Sequence, residues 1–137
     1  MWISDTRESY DTVAESYSEM LRDALADAPD QRGILRLFAE LADGPVADVG
    51  CGTGRITHYL RGLGVDVSGI DLSPGMIAVA EREYPDCTFR VGSMTDLPFP
   101  DDSLGGLLAW WSLIHVPDDE IPGVFAQFRR VLRRGAR

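Results

Sequence analysis

The run Val46-Ala47-Asp48-Val49-Gly50-Cys51-Gly52-Thr53-Gly54, with Asp71 closing a second apolar run nineteen residues after Gly52, decides the fold. A strand that ends in glycines at every second position requires a tight turn that no side chain crowds, so a ligand can lie against bare backbone. A carboxylate about 20 residues further on, at the end of the next strand, is placed to accept hydrogen bonds from both hydroxyls of a ribose. Together they point to a nucleotide-type cofactor. The spacing is G-x-G-x-G, and Arg55 stands where the last glycine of the dinucleotide fingerprint G-x-G-x-x-G would fall. That disfavours NAD, FAD and a buried pyrophosphate.

Outward from this turn, apolar runs and helical patterns alternate. Strands are expected over 46–49, 65–70, 88–91 and 104–110, with helices over 55–63, 74–84 and 118–134. Strands alternating with helices of this length imply βαβ units and a parallel sheet. Upstream, Tyr10, Val13, Ala14, Tyr17, Met20, Leu21, Ala24 and Leu25 recur at helical spacing and predict an amphipathic helix over 7–25. Pro29 and Asp30 break it, and a second helix over 31–42 turns Ile34, Leu35, Phe38 and Leu41 inward before Gly44-Pro45 ends it. Asp118 is the expected cap of the last helix, and the arginines at its far end complement the helix dipole.

A length of 137 residues gives a single domain. Residues 1–44 form the N-terminal lid or cap helices, and 45–137 form the sheet-based core. Thirteen basic against twenty-two acidic side chains leave a net charge of −9, a field that repels nucleic-acid phosphates. The cluster Arg129, Arg130, Arg133, Arg134 and Arg137 reads either as a helix-end complement or as a phosphate patch. No run of about 18 apolar residues exists, and Met1 to Asp5 lacks a basic-then-apolar signal pattern, so no membrane and a cytoplasmic location are expected. Cys51 and Cys87 have no metal-ligand spacing and are expected to stay thiols, with no metal bound.

The stretch Asp48 to Gly54 resembles the glycine-rich first motif of the class I S-adenosylmethionine-dependent methyltransferases. Gly69-Ile70-Asp71-Leu72-Ser73-Pro74-Gly75-Met76 resembles their acidic second motif. Gly92-Ser93-Met94-Thr95-Asp96-Leu97-Pro98-Phe99, followed by Leu104 to Trp110, is similar to the third and fourth, and Val131-Leu132-Arg133-Arg134-Gly135 resembles the helix end before the fifth strand. The resemblance implies a Rossmann-like methyltransferase fold, with a parallel sheet in the order 3-2-1-4, flanking helices and two N-terminal helices. Strands five to seven of the family order 3-2-1-4-5-7-6 are absent, as expected of a fragment or truncated product. The fourth strand then becomes an apolar edge, which a second copy is expected to cover by pairing or swapping.

The resemblance also implies S-adenosyl-L-methionine as cofactor and a small-molecule methyl acceptor. Gly50, Cys51, Gly52, Thr53 and Gly54 give close backbone approach, and the helix starting near Thr53 directs N–H groups at the methionine carboxylate. Asp71 takes the ribose hydroxyls or caps the strand-to-helix turn, a task open to Ser73 as well. Leu72 and Met76 cover one adenine face. Ser93 stands where family members often carry Asp and accepts from the adenine amino group, while Met94 offers its backbone N–H. Asp48 either reaches the donor's amino end or bonds the glycine-loop amides.

Of Trp110 and Trp111, alternation sends one to the core and one to the pocket. His115 is a candidate general base or a loop residue bonded to backbone. His58 faces out of its helix. Tyr10-Asp11-Thr12-Val13-Ala14-Glu15-Ser16-Tyr17 matches a lid pattern of the family, which places Tyr10 and Tyr17 over donor and acceptor or, alternatively, in the core. Methyl transfer by in-line displacement needs position more than a protein nucleophile. The alternative is a truncated module that binds cofactor, or dimerises, without methyl transfer.

Overall fold

The computed structural model describes residues 2–21 and 23–137; Met1 and Arg22 lie outside the described residues, the latter within the stretch read as the first helix. In chain order come α1 (Trp2–Leu21), α2 (Pro29–Leu41), β1 (Val46–Val49), α3 (Arg55–Gly62), β2 (Val67–Asp71), α4 (Pro74–Glu83), β3 (Thr88–Val91), β4 (Gly106–Leu108) and α5 (Ile121–Val131). The sheet runs β3-β2-β1-β4 with every pair parallel, the order expected. The crossovers from β1 to β2 and from β2 to β3 return through α3 and α4, whereas residues 92–105 carry the chain from β3 to β4 without a helix.

The central strand β1 is buried along its whole length. Val46 and Val67 pack with Leu35, Ile56 and Leu60 beneath α2 and α3. Ala47 and Val49 pack with Leu97, Leu104 and Val131 beneath α5. Alternation along a strand sends neighbours to opposite faces, so four residues of β1 join two cores. Phe89 of β3 joins Cys51, Ile77 and Ala80 under α4, and a further cluster ties Ala14 of α1 to Met76 and Val79 of α4.

Several boundaries and faces differ from expectation. The first helix begins at Trp2 and stops at Leu21, and Leu25 is buried on the following turn. Pro29 opens α2 instead of breaking the chain, because a proline in the first turn sacrifices no helical hydrogen bond. The inward stripe of α2 is Leu35, Phe38, Ala39 and Ala42, whereas Ile34 and Leu41 are 57% and 48% exposed. Both stripes have helical spacing, and the small alanines let the helix lie close to the sheet, where a Cβ on Gly106 would stand 3.1 Å from that of Ala42. Asp118 does not cap α5. It lies in a single 3-10 turn (Asp118–Glu120), and α5 starts at Ile121 with no side-chain cap.

Strand β4 is shorter than the expected 104–110, and its outer edge meets the chain's own tail. The amide of Arg133 donates to Leu104 O (2.9 Å), and that of Leu107 donates to Arg137 O (2.7 Å). These bonds satisfy part of the edge. Three of the clustered arginines are held by carbonyls, Arg137 by that of Gly135 (3.1 Å). Arg130 donates to Leu97 O (2.7 Å) and Phe99 O (2.8 Å), and Arg133 donates to Asp43 O (3.0 Å).

Two glycines of opposite kind test this packing. A Cβ on Gly105 would stand 1.7 Å from the carbonyl oxygen of Asp43, whereas one on Gly33, inside α2, would meet nothing within 4 Å. Chemical denaturation is expected to show Gly105→Ala losing about 2 kcal/mol or more of stability. In the same assay Gly33→Ala gains about 0.5–1 kcal/mol.

Candidate functional site

The turn after β1 is held by backbone geometry that side chains rarely adopt. Gly50, Gly52 and Gly54 have φ of 78°, 56° and 86°. Each is a glycine for a second, different reason. A Cβ on Gly50 would meet Ser112 Cβ at 2.2 Å, and one on Gly54 would meet the Phe89 ring at 2.5 Å. One on Gly52 would meet nothing within 4 Å, so bare backbone faces open space there. The turn is tied to β2 by the amides of Gly50 and Cys51, which both donate to Ile70 O (2.7 and 2.9 Å).

Asp71 closes the arrangement. Its Oδ2 accepts from the Gly52 amide (2.9 Å) and its Oδ1 from the Ser73 amide (2.9 Å). Burial pushes its carboxyl above the ordinary range, and those amides oppose the shift. The Leu72 amide also opposes it, and three amides leave the carboxylate, with about four acceptor sites, room for a further donor. Ser73 caps α4 by accepting from the Met76 amide (3.1 Å), so the capping task falls to Ser73.

Asp48 does not bond the glycine-loop amides. It is fully buried and accepts from the Thr57 hydroxyl (2.7 Å). Burial pushes it up to about 6, a shift that nearby Asp71 augments and that Thr57 and Arg55 oppose.

Helix α1 lies over this end of the sheet. Arg7 donates to Leu72 O (3.1 Å), and Asp11 accepts from the Gly75 amide (2.7 Å) and is hydrogen-bonded to the Ser73 hydroxyl. Glu15 holds Arg82 of α4 in a two-pronged ion pair (2.7 and 2.8 Å). On the other side, the Tyr10 hydroxyl is hydrogen-bonded to Nε2 of His115, beyond β4. The rings of Tyr10 and Tyr17 stand edge to face at 6.1 Å.

Between α1 and the carboxyl ends of β1, β2 and β4 is a cavity of about 300 Å³. Such a crevice forms where crossovers leave a sheet in opposite directions. Its wall includes Gly50, Cys51, Gly52 and Thr53 from the turn, Asp48 beneath it, and Asp71, Leu72, Ser73 and Met76 from β2 and α4. Ser93, Met94, Trp110, Trp111, Tyr10, Tyr17 and His115 complete the expected set.

Gly54 is not part of that wall; it serves the packing against Phe89. Ser93 lines the cavity, but its hydroxyl is engaged by Thr95, at 2.7 Å from Oγ1 and 3.1 Å from the amide. Both tryptophans reach the cavity, because β4 ends at Leu108 and Trp111 adopts φ of 58°. Met76 is both core and wall. His58 stacks on Tyr84, away from the site (4.5 Å between centroids).

The main residues missed by sequence reasoning are Arg55 and Ser112. Among the described residues, the buried side-chain polar atoms without a partner are Arg55 Nη1, Trp110 Nε1 and Ser112 Oγ, and all three residues line the cavity. Unsatisfied buried donors are rare in folded chains, so three around one space mark where a ligand's polar groups would sit. Arg55 carried a signal. A cation in the first turn of a helix opposes the dipole, so its place there calls for another reason. Among the described residues no cluster suits a metal ion, and no helix is long and apolar enough to cross a membrane.

Residues 46–135 match the methyltransferase domain family, and the chain belongs to it. It is 32% identical to the demethylmenaquinone methyltransferase of Tropheryma whipplei over 139 residues, covering 98% of this chain and 57% of that protein. It is 30% identical to the O-methyltransferase cnsE of Penicillium expansum over 157 residues, covering 98% and 56%. Among solved structures, the DhpI–SAH complex superposes with a TM-score of 0.80 at 29% identity, covering 98% of this chain and 65% of that one. A TehB-like SAM-dependent methyltransferase from Corynebacterium glutamicum gives 0.75 at 27% identity, covering 90% and 68%. The chain thus spans little more than half the length of the curated relatives it matches.

Asp48 gives the site a pH signature. Its folded value of about 6 lies above the ordinary 3.8, so the folded state holds a proton that the unfolded chain has released. Stability therefore falls as pH rises from 3.8 to about 6 and stays lowered above that window. In Asp48→Asn the penalty is gone. Melting followed against pH is expected to show the variant about 2 kcal/mol more stable at neutral pH, with the gap closing in acid. A variant less stable than wild type at neutral pH contradicts this account.

Proposed function

We propose that this chain is the donor-binding part of an S-adenosylmethionine-dependent methyltransferase acting on a small-molecule acceptor. The observation that carries it is the ring of unmet polar capacity around one cavity: the spare lone pairs of Asp71, the bare backbone at Gly52 and the unpartnered Arg55 Nη1. A donor with a ribose, a carboxylate and a flat base fits those groups. Asp71 would accept from the ribose hydroxyls, Arg55 and the α3 amino end would hold the carboxylate, and Asp48 would meet the amino group. Leu72, Met76 and Met94 would flank the adenine, with Ser93 at its edge. Cys51 contributes backbone alone, since burial pushes its thiol well up and keeps it protonated.

When bound, the sulfonium supplies an electrophilic methyl group, so the protein's task is to fix donor and acceptor in line and keep water out. Helix α1 serves as the lid, with Tyr10 and Tyr17 on its inner face. His115 and Trp111 lie on the acceptor side. The field of a −9 chain disfavours nucleic acid as acceptor, and the free thiols Cys51 and Cys87 suit a reducing, cytoplasmic setting. A second copy would cover whatever edge of β4 the tail leaves open.

One alternative is a module that binds the donor without turnover. Calorimetry with S-adenosylhomocysteine tests the donor site. Wild type is expected to bind it, and Asp71→Asn and Arg55→Ala each to weaken binding about tenfold or more, since charge-assisted bonds contribute about 1.5–3 kcal/mol. Absence of binding by folded wild type, or unchanged binding by both variants, rejects the donor site. Binding without methyl transfer to any acceptor supports the module.

A further inference from the structure

Tyr10 and His115 come from opposite walls of the cavity, α1 and the 3-10 turn Leu113–His115, and meet through a hydrogen bond from one hydroxyl to one ring nitrogen. Their rings stand edge to face at 5.2 Å. The same two residues also line a shallow outer groove with Asp5 and Glu8, on the far side of α1's inner face. They are the pair shared by the inner cavity and the outer groove. Proton traffic between the inner cavity and the outer groove has a ready path through them.

Burial, with Tyr17 and Asp71 nearby, raises the Tyr10 hydroxyl above its ordinary value, so it stays protonated at neutral pH and donates to His115 Nε2 in the tautomer that carries its hydrogen on Nδ1. Its oxygen keeps lone pairs for a second partner. The Tyr10 hydroxyl occupies Nε2, so a proton passes to that nitrogen through Tyr10. Trp110 and Trp111 line the cavity with Leu21 and Val116, and Trp111 is 71% exposed despite a backbone conformation that costs energy for a bulky residue. Tryptophan rings on a cavity wall suit a flat apolar ring.

We propose that Tyr10 and His115 form a proton relay for an acceptor carrying a phenolic hydroxyl, a proposal that rests on the donor site described above. The acceptor hydroxyl gives its proton to the Tyr10 oxygen while the Tyr10 proton passes to His115 Nε2. The acceptor oxygen forms its bond to the methyl carbon as the carbon–sulfur bond breaks, and that electron pair returns to sulfur, which leaves as a neutral thioether. The imidazolium then releases its proton into the groove beside Asp5 and Glu8. The acceptor and Tyr10 exchange the proton between two phenolic oxygens, the same kind of acid. Tyr10 touches the acceptor; His115 acts through it as a positioning and proton-holding residue.

The test uses two phenols of different acidity, 4-nitrophenol, which ionises near neutrality, and 2-naphthol, which stays protonated. Methyl transfer from S-adenosylmethionine is followed for wild type, Tyr10→Phe and His115→Gln, with S-adenosylhomocysteine affinity measured for each. Wild type is expected to methylate both. Each variant should lose about 100-fold in kcat on 2-naphthol and at least tenfold less than that on 4-nitrophenol, which needs no base, and the S-adenosylhomocysteine affinities separate any loss of donor binding from this difference between acceptors. Equal losses on both phenols make the pair merely structural and overturn the relay, as does full activity of both variants on 2-naphthol. Methylation of neither phenol by wild type that binds S-adenosylhomocysteine overturns the acceptor class alone. Failure of wild type to bind S-adenosylhomocysteine removes the donor site on which the relay rests.

Discussion

The carboxylate of Asp71 gathers the amides of Gly52 and Ser73 onto its two oxygens and so locks the glycine turn of one strand to the end of the next. The lock is electrostatic and short-range, and partial burial strengthens it. Burial alone would drive this carboxyl toward its neutral form, and the backbone donors oppose that with charge-assisted bonds. What remains is a carboxylate held rigidly, with lone pairs to spare and bare backbone beside it. A cavity that must grip a sugar without rearranging needs both.

Around this lock the site divides by chemistry. On the β1–β2 side are acids, amides and one guanidinium; on the β4 side are tryptophans, a tyrosine and a histidine. Helix α1 is fastened to both sides, through Asp11 and Glu15 to α4 and through Tyr10 to His115. The two fastenings differ in kind. Asp11 and Glu15 contribute ionic bonds to a capping turn and an exposed arginine, whereas Tyr10 contributes a single neutral bond across the cavity. Opening of the lid is thereby expected to begin at the Tyr10–His115 edge.

Much of this was legible in the residues. The alternation of strands and helices implies a parallel sheet, whose order the family resemblance supplies, and the glycine spacing with Asp71 locates the cavity, because such spacings are local patterns enforced by backbone sterics. Tyr10, Tyr17, Trp110, Trp111 and His115 all reach the same cavity despite their separation in sequence. What could not be read depends on long-range fit. Periodicity admits two inward stripes for α2, and close approach of Ala39 and Ala42 selects the second. Gly54 looks like its neighbours in the turn until Phe89 is placed against it. The engagement of Ser93 by Thr95, and the tail pairing with Leu107, are contacts that no spacing announces.

Arg55 and Ser112 show the other limit. Neither belongs to a pattern of apolar residues, and each becomes conspicuous through a polar atom left without a partner once the chain is folded. A crystal structure with S-adenosylhomocysteine tests the central claim most directly, because it shows which groups meet those atoms. The account predicts ribose hydroxyls on Asp71 with the Gly52 amide bond retained, and a carboxylate on Arg55. A ligand bound elsewhere, or a ribose that leaves Asp71 facing only its own backbone amides, would contradict it.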